Sequence, residues 1–158
     1  PLFMCNEHSV RIDADNYKRC DPDGALNYKE NDNTRDCAQA QLYVLALRCW
    51  DMMGRADIDY GWIKNVGDLD TCFKFTVNDL SSEIDEDTFT NWMIKNKKCE
   101  RLENNNILGG HKACGNADRV DWAGNILSGT EKINSGECWR ISFNPRPQKQ
   151  NRIKFKPC

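Results

Sequence analysis

The residues of this chain best equipped for chemistry are its cysteines: Cys5, Cys20, Cys37, Cys49, Cys72, Cys99, Cys114, Cys138 and Cys158. They are spread along all 158 residues, and the closest two, Cys37 and Cys49, are twelve apart. A zinc knuckle or a thioredoxin-like redox motif needs cysteines two residues apart, and no Cys-x-x-Cys occurs here. Wide spacing suits disulfides that close long loops, each contributing roughly 2–4 kcal/mol through the unfolded state. Such usage points to an oxidising compartment. Nine is odd, so at least one cysteine is free, paired between chains or without its partner. The expected set in disulfides is Cys5, Cys20, Cys37, Cys49, Cys72, Cys99, Cys138 and Cys158, with Cys114 the least certain; which cysteine is unpaired is not set by sequence. One pairing is excluded. Cys37 and Cys49 fall on one predicted helix, about 18 Å apart, against the roughly 4.4–6.8 Å between Cα atoms that a disulfide spans.

Catalytic constellations are thin. A triad needs a histidine beside a nucleophile, and only His8 and His111 are present. His111 sits in Gly109-Gly110-His111-Lys112-Ala113-Cys114, where Cys114 is a nucleophile only as a free thiol. The reading adopted is an exposed loop histidine and a structural cysteine. Asp21-Pro22-Asp23-Gly24 has calcium-loop residues, but neither register supplies both Gly at position six and Glu at twelve, so an acidic turn is expected. Leu108-Gly109-Gly110 lacks the ending of a phosphate loop. Paired carboxylates for glycoside hydrolysis, or His111 with a glutamate and Arg140 for ribonuclease-like chemistry, are generic among 24 acidic residues. No catalytic residue, metal or cofactor is assigned.

The elements that position these residues follow from periodicity. Residues 1–35 read as loop, rich in turn-forming Asp, Asn and Gly. A helix is predicted over 35–53, with Thr34 or Asp36 to cap it and Gly54 to end it. It is apolar on nearly every side, as a core helix is. Residues 61–66 are a weak strand candidate. Cys72–Val77 is a stronger one: Phe73, Phe75 and Val77 face inward, and Cys72, Lys74 and Thr76 face out. A second helix is predicted over 86–98, with acids at its start and lysines at its end. Residues 104–118 read as loop, and 119–123 as a short strand. At the C-terminus, residues 137–143 and 152–156 form a hairpin. Trp139, Ile141, Phe143, Ile153 and Phe155 face inward; Cys138, Arg140 and Ser142 face out. The sum is one α+β domain over 1–158: an antiparallel sheet of about four strands, covered on one face by two or more helices and stabilised by disulfides.

From Arg140 onward the chain carries six cations and no acid. The hairpin would set Arg140, Arg152, Lys154 and Lys156 on one outward face, a possible basic surface for phosphate, RNA or an acidic partner, or simply a solvated face with edge lysines. Net charge is only −2, so nucleic acid is not an expected partner. No apolar run approaches membrane-spanning length. The start at Pro1 is expected of a mature chain whose signal peptide has been removed.

The stretch Cys138-Trp139-Arg140-Ile141-Ser142 resembles the Trp-Arg-aliphatic-basic strand motif of the LARS effectors, secreted avirulence proteins of plant-pathogenic fungi. Trp139, Arg140 and Ile141 fit; Ser142 departs, where the family usually has Arg or Lys. Chain length, scattered cysteines and the predicted α+β architecture are also similar. The resemblance implies a non-enzymatic protein delivered to the apoplast or into host cells, a monomer that binds host plant proteins or is recognised by a resistance receptor. Trp139 would then anchor the core, and Arg140 would brace a loop or bind a partner. The alternatives are a small secreted hydrolase or ribonuclease-like toxin, or a secreted protease inhibitor.

Overall fold

The computed structural model describes residues 8–21, 24, 26, 34–53, 70–102, 120–122, 131–144 and 152–158. In chain order the elements are β1 (His8–Asp13), α1 (Tyr17–Cys20), α2 (Thr34–Met52), β2 (Asp70–Asn78), α3 (Glu86–Lys95), a 3-10 turn (Glu100–Leu102), β3 (Val120–Trp122), β4 (Cys138–Asn144) and β5 (Arg152–Pro157). The class is α+β. Five strands form one sheet in the order β1-β2-β4-β5-β3. The central three are antiparallel, as expected. The two outer strands add in parallel, β1 on β2 and β3 on β5, so the whole sheet is mixed. β1 lies in the segment read as loop. Its Val10 and Ile12 alternate over too few residues to signal a strand, and its pairing is with residues 65 positions later. The 61–66 and 104–118 segments lie outside the described residues.

α2 is the core helix its composition demanded. Cys37, Ala38, Leu42, Tyr43, Leu45, Ala46, Cys49 and Trp50 are all buried on it. Thr34 does not cap this helix. It is the first helical residue, and its hydroxyl joins the Ser81 hydroxyl (2.6 Å) and accepts the Ser81 N–H (2.9 Å), tying the helix to the turn after β2. α3 begins with a capping box: Asp85 accepts the Thr88 N–H (2.8 Å), and Thr88 accepts the Asp85 N–H (2.9 Å). Both helices cover the same side of the sheet. Trp50 of α2 meets Phe143 of β4, with ring centroids 6.0 Å apart. Phe89 of α3 meets Phe155 of β5 edge-on at 5.5 Å, and Phe155 meets Phe75 of β2 at 6.3 Å.

The disulfides sit at the joints between elements. Cys20–Cys37 ties α1 to the first turn of α2, Cys49–Cys72 ties α2 to β2, and Cys138–Cys158 ties the start of β4 to the end of the chain. Their Cα separations are 4.9, 5.6 and 5.4 Å, within the range that a bridge requires. Cys37 and Cys49 bond to other elements rather than to each other. Cys99 is also disulfide-bonded, to a partner outside the described residues; Cys5 and Cys114 lie outside them too. Cys72 corrects the simple alternation that set it outward. The β2–β4 register shifts between Thr71 and Phe73, which makes Cys72 the extra residue of a β-bulge. The bulge turns it to the helix side, where it is wholly buried against Cys49.

Candidate functional site

The strand motif lies on β4, the middle strand of the five. Trp139 (2% exposed) and Ile141 (0%) point into the core, with Trp139 opposite Phe75 of β2 and Ile141 opposite Phe155 of β5. Arg140 lies between them on the opposite face. Registry across the sheet sets Lys74 of β2, Arg140 of β4 and Lys156 of β5 side by side. Two residues on, Ser142 pairs with Lys154, and Asn144 pairs with Arg152. The hairpin therefore does bring Arg140, Arg152, Lys154 and Lys156 onto one face, and β2 adds a fifth cation. Lys74 was legible as an outward residue of its strand. That it would stand beside Arg140 was not, because register between distant strands is set by the core.

This face is half-covered rather than openly solvated. Arg140, Arg152, Lys154, Lys156 and Lys74 are all partly buried. Ser142 is inaccessible and Asn144 nearly so; Ser142 shares a hydrogen bond of 3.4 Å with Thr71 across the strands. Lys74, Arg152, Lys154 and Lys156 each interact with a further group. The Arg140 Nε is buried with no hydrogen-bond partner among the described residues. Like charges directly opposite one another on neighbouring strands repel, and Lys74, Arg140 and Lys156 stand in one such row.

Surface cavities lined by described residues flank the sheet. One of ≈650 Å³ lies beside the exposed Cys138–Cys158 bridge and is lined by Glu131, Lys132, Asn134, Glu137, Trp139 and Pro157. Lys132 and Glu83 form an ion pair near it that raises the lysine pKa, mainly through their hydrogen bond. A second cavity of ≈270 Å³ spans β1 and β2 at Arg11, Lys74 and Thr76. A third of ≈360 Å³ lies between β1 and α2. Asp21 belongs to a turn: its carboxylate accepts the Leu26 N–H at 3.0 Å, and Gly24 adopts φ +68°. His111, with Cys114, lies outside the described residues. No described helix is long and apolar enough to cross a membrane.

Comparison with known proteins returns no matching family model, no matching curated protein and no matching solved structure.

Proposed function

We propose that this chain is a secreted effector of a plant-pathogenic fungus, of the LARS type, acting by binding host components or by being recognised by host resistance proteins, without catalysis. The observation that carries this reading is the placement of the disulfides. Each clamps one element to the next around a single core, the arrangement suited to a protein that persists in an oxidising extracellular fluid. The Trp139-Arg140-Ile141 run supports it as well: it occupies the central strand, with the aromatic in the core and the guanidinium on the other side. The binding surface in this reading is the Lys74-Arg140-Lys156 row. A fixed row of one sign repels wrong partners and favours an acidic protein surface.

The test is affinity capture from host leaf extract and apoplastic fluid, comparing the oxidised protein with a Lys74→Glu/Arg140→Glu/Lys156→Glu variant. A host protein retained by the first and lost by the second is the expected result. Equal retention would remove the cationic row from the mechanism. Turnover of RNA or glycan substrates by the purified protein would replace the effector reading with an enzymatic one.

A further inference from the structure

A second surface, next to the cationic row, lies at the β1 edge of the sheet, where no further strand pairs among the described residues. β1 is a terminal strand. The Ala14 N–H donates to the Asn78 carbonyl of β2 at 3.0 Å. Backbone groups alternate sides along a strand, so those of Ser9, Arg11 and Asp13 face away from β2. The Asp13 carbonyl accordingly accepts a hydrogen bond from the Gln41 side chain of α2 at 3.0 Å. Ser9 and Arg11 present their N–H and C=O groups at the edge with no partner among the described residues. Both residues are exposed.

Beside this edge runs the ≈360 Å³ groove between β1 and α2. Its helix wall is Gln41, Val44, Leu45 and Arg48, spaced three and four apart and so on one helix face. Val44 is 42% exposed, although it belongs to a helix otherwise buried on most sides. Arg11, Arg19 and Arg48 ring the groove. The first two have side chains 69% and 60% exposed and share one carboxylate, Asp13, at 2.8 and 4.0 Å. The groove therefore combines open strand hydrogen-bonding groups, an apolar wall and three guanidinium groups against one acid.

We propose that an extended acidic segment of a partner protein docks here, adding to β1 as a further strand with its apolar side chains against Val44 and its carboxylates on Arg11, Arg19 and Arg48. Strand addition to a sheet edge is a recurrent recognition mode in which backbone pairing supplies affinity and alternate side chains supply specificity. Charge on an edge strand ordinarily guards it against association. Here Arg11, Arg19 and Arg48 outnumber Asp13, so the excess charge is positive: it disfavours a second copy of the same chain, whose own arginines would approach, and it favours an acidic strand.

The probe is a blocked, dye-labelled peptide of alternating Glu and Val, about ten residues long, which spans the roughly 20 Å of a six-residue strand. Binding is read by fluorescence anisotropy on the oxidised full chain. Saturable binding is expected, weakened about tenfold by Arg48→Glu and unchanged by Lys95→Glu at the exposed end of α3. Ser9→Pro removes an edge donor and should abolish binding, with far-UV circular dichroism as the check on folding. N-methylation of every second residue of the probe, which leaves its charge intact, should do the same without altering the protein. Equal binding of the N-methylated probe, of the Lys-Val counterpart or of a single-stranded oligothymidylate would overturn the proposal. So would a dimer in sedimentation that disappears on Ser9→Pro, since the edge would then belong to a second copy.

Discussion

On the helix-facing side of the sheet, Trp139, Ile141, Phe143, Ile153 and Phe155 are each at most 2% exposed. On the other side of the same two strands stand Arg140, Ser142, Lys154 and Lys156, also substantially buried. The first face excludes water from apolar groups and gains from it. The second takes polar and charged groups partly out of water, which is favourable only where each finds a partner. Burial alone therefore does not say which face stabilises the fold. The contrast implies that the apolar face holds the structure together, while the charged face is retained at some expense for what it contacts.

Substitutions that separate the two faces test this. The largest effect is expected from Trp139→Ala, which empties a fully buried site opposite Phe75 and should cost roughly 3–5 kcal/mol in denaturant unfolding. A loss below about 1 kcal/mol would mean that the inner face is not the dominant core.

Next come the disulfides. Cys49–Cys72 and Cys138–Cys158 close loops of similar length, 23 and 20 residues, so loop entropy predicts about 3 kcal/mol for each. The first is buried in the core and the second is exposed at the chain end. Replacing the Cys49–Cys72 pair by alanines should therefore cost more than replacing Cys138–Cys158, and graded reduction followed by alkylation should open Cys138–Cys158 first. Equal costs would assign the stabilisation to the unfolded chain alone.

A smaller effect is expected at Tyr43. Its pKa lies above the usual phenol range, chiefly because burial disfavours the phenolate, and its hydroxyl is buried without a hydrogen-bond partner among the described residues. A group that holds its proton more tightly when folded contributes stability below its unfolded pKa and loses it as pH rises through the folded value. Stability should fall above about pH 10, and Tyr43→Phe should flatten that decline in alkaline titrations followed by tryptophan fluorescence.

The smallest effect belongs to the charged face. Arg140→Thr should change stability by less than about 1 kcal/mol. Because salt screens repulsion between like charges, the melting temperature of the unaltered protein should rise with added NaCl, and this rise should shrink in the variant. A large destabilisation by Arg140→Thr would make the guanidinium a structural brace instead of a binding group.

Much of the inner face was legible in the residues themselves. The period-two alternation of Trp139, Ile141 and Phe143, and the all-round apolarity of α2, each encode burial locally. The candidate surfaces were legible only in part. Arg140, Lys154 and Lys156 share a hairpin, so their common face follows from short-range spacing. Lys74 joins them through β2, and Arg11, Arg19 and Arg48 converge from three separate elements. Neither grouping has a local signature.

The sequence by itself determined the α+β class, the core helix, the hairpin and the use of cysteines as cross-links, because each rests on residue type and spacing within one segment. Only the tertiary structure decided the parallel pairing of β1 and β3, which cysteines meet, and the inward turn of Cys72 at its bulge. Those depend on register between segments far apart in the chain. Register is chosen by how the inner-face side chains fit together around Trp50, Phe89 and Trp139, a property of the assembled core.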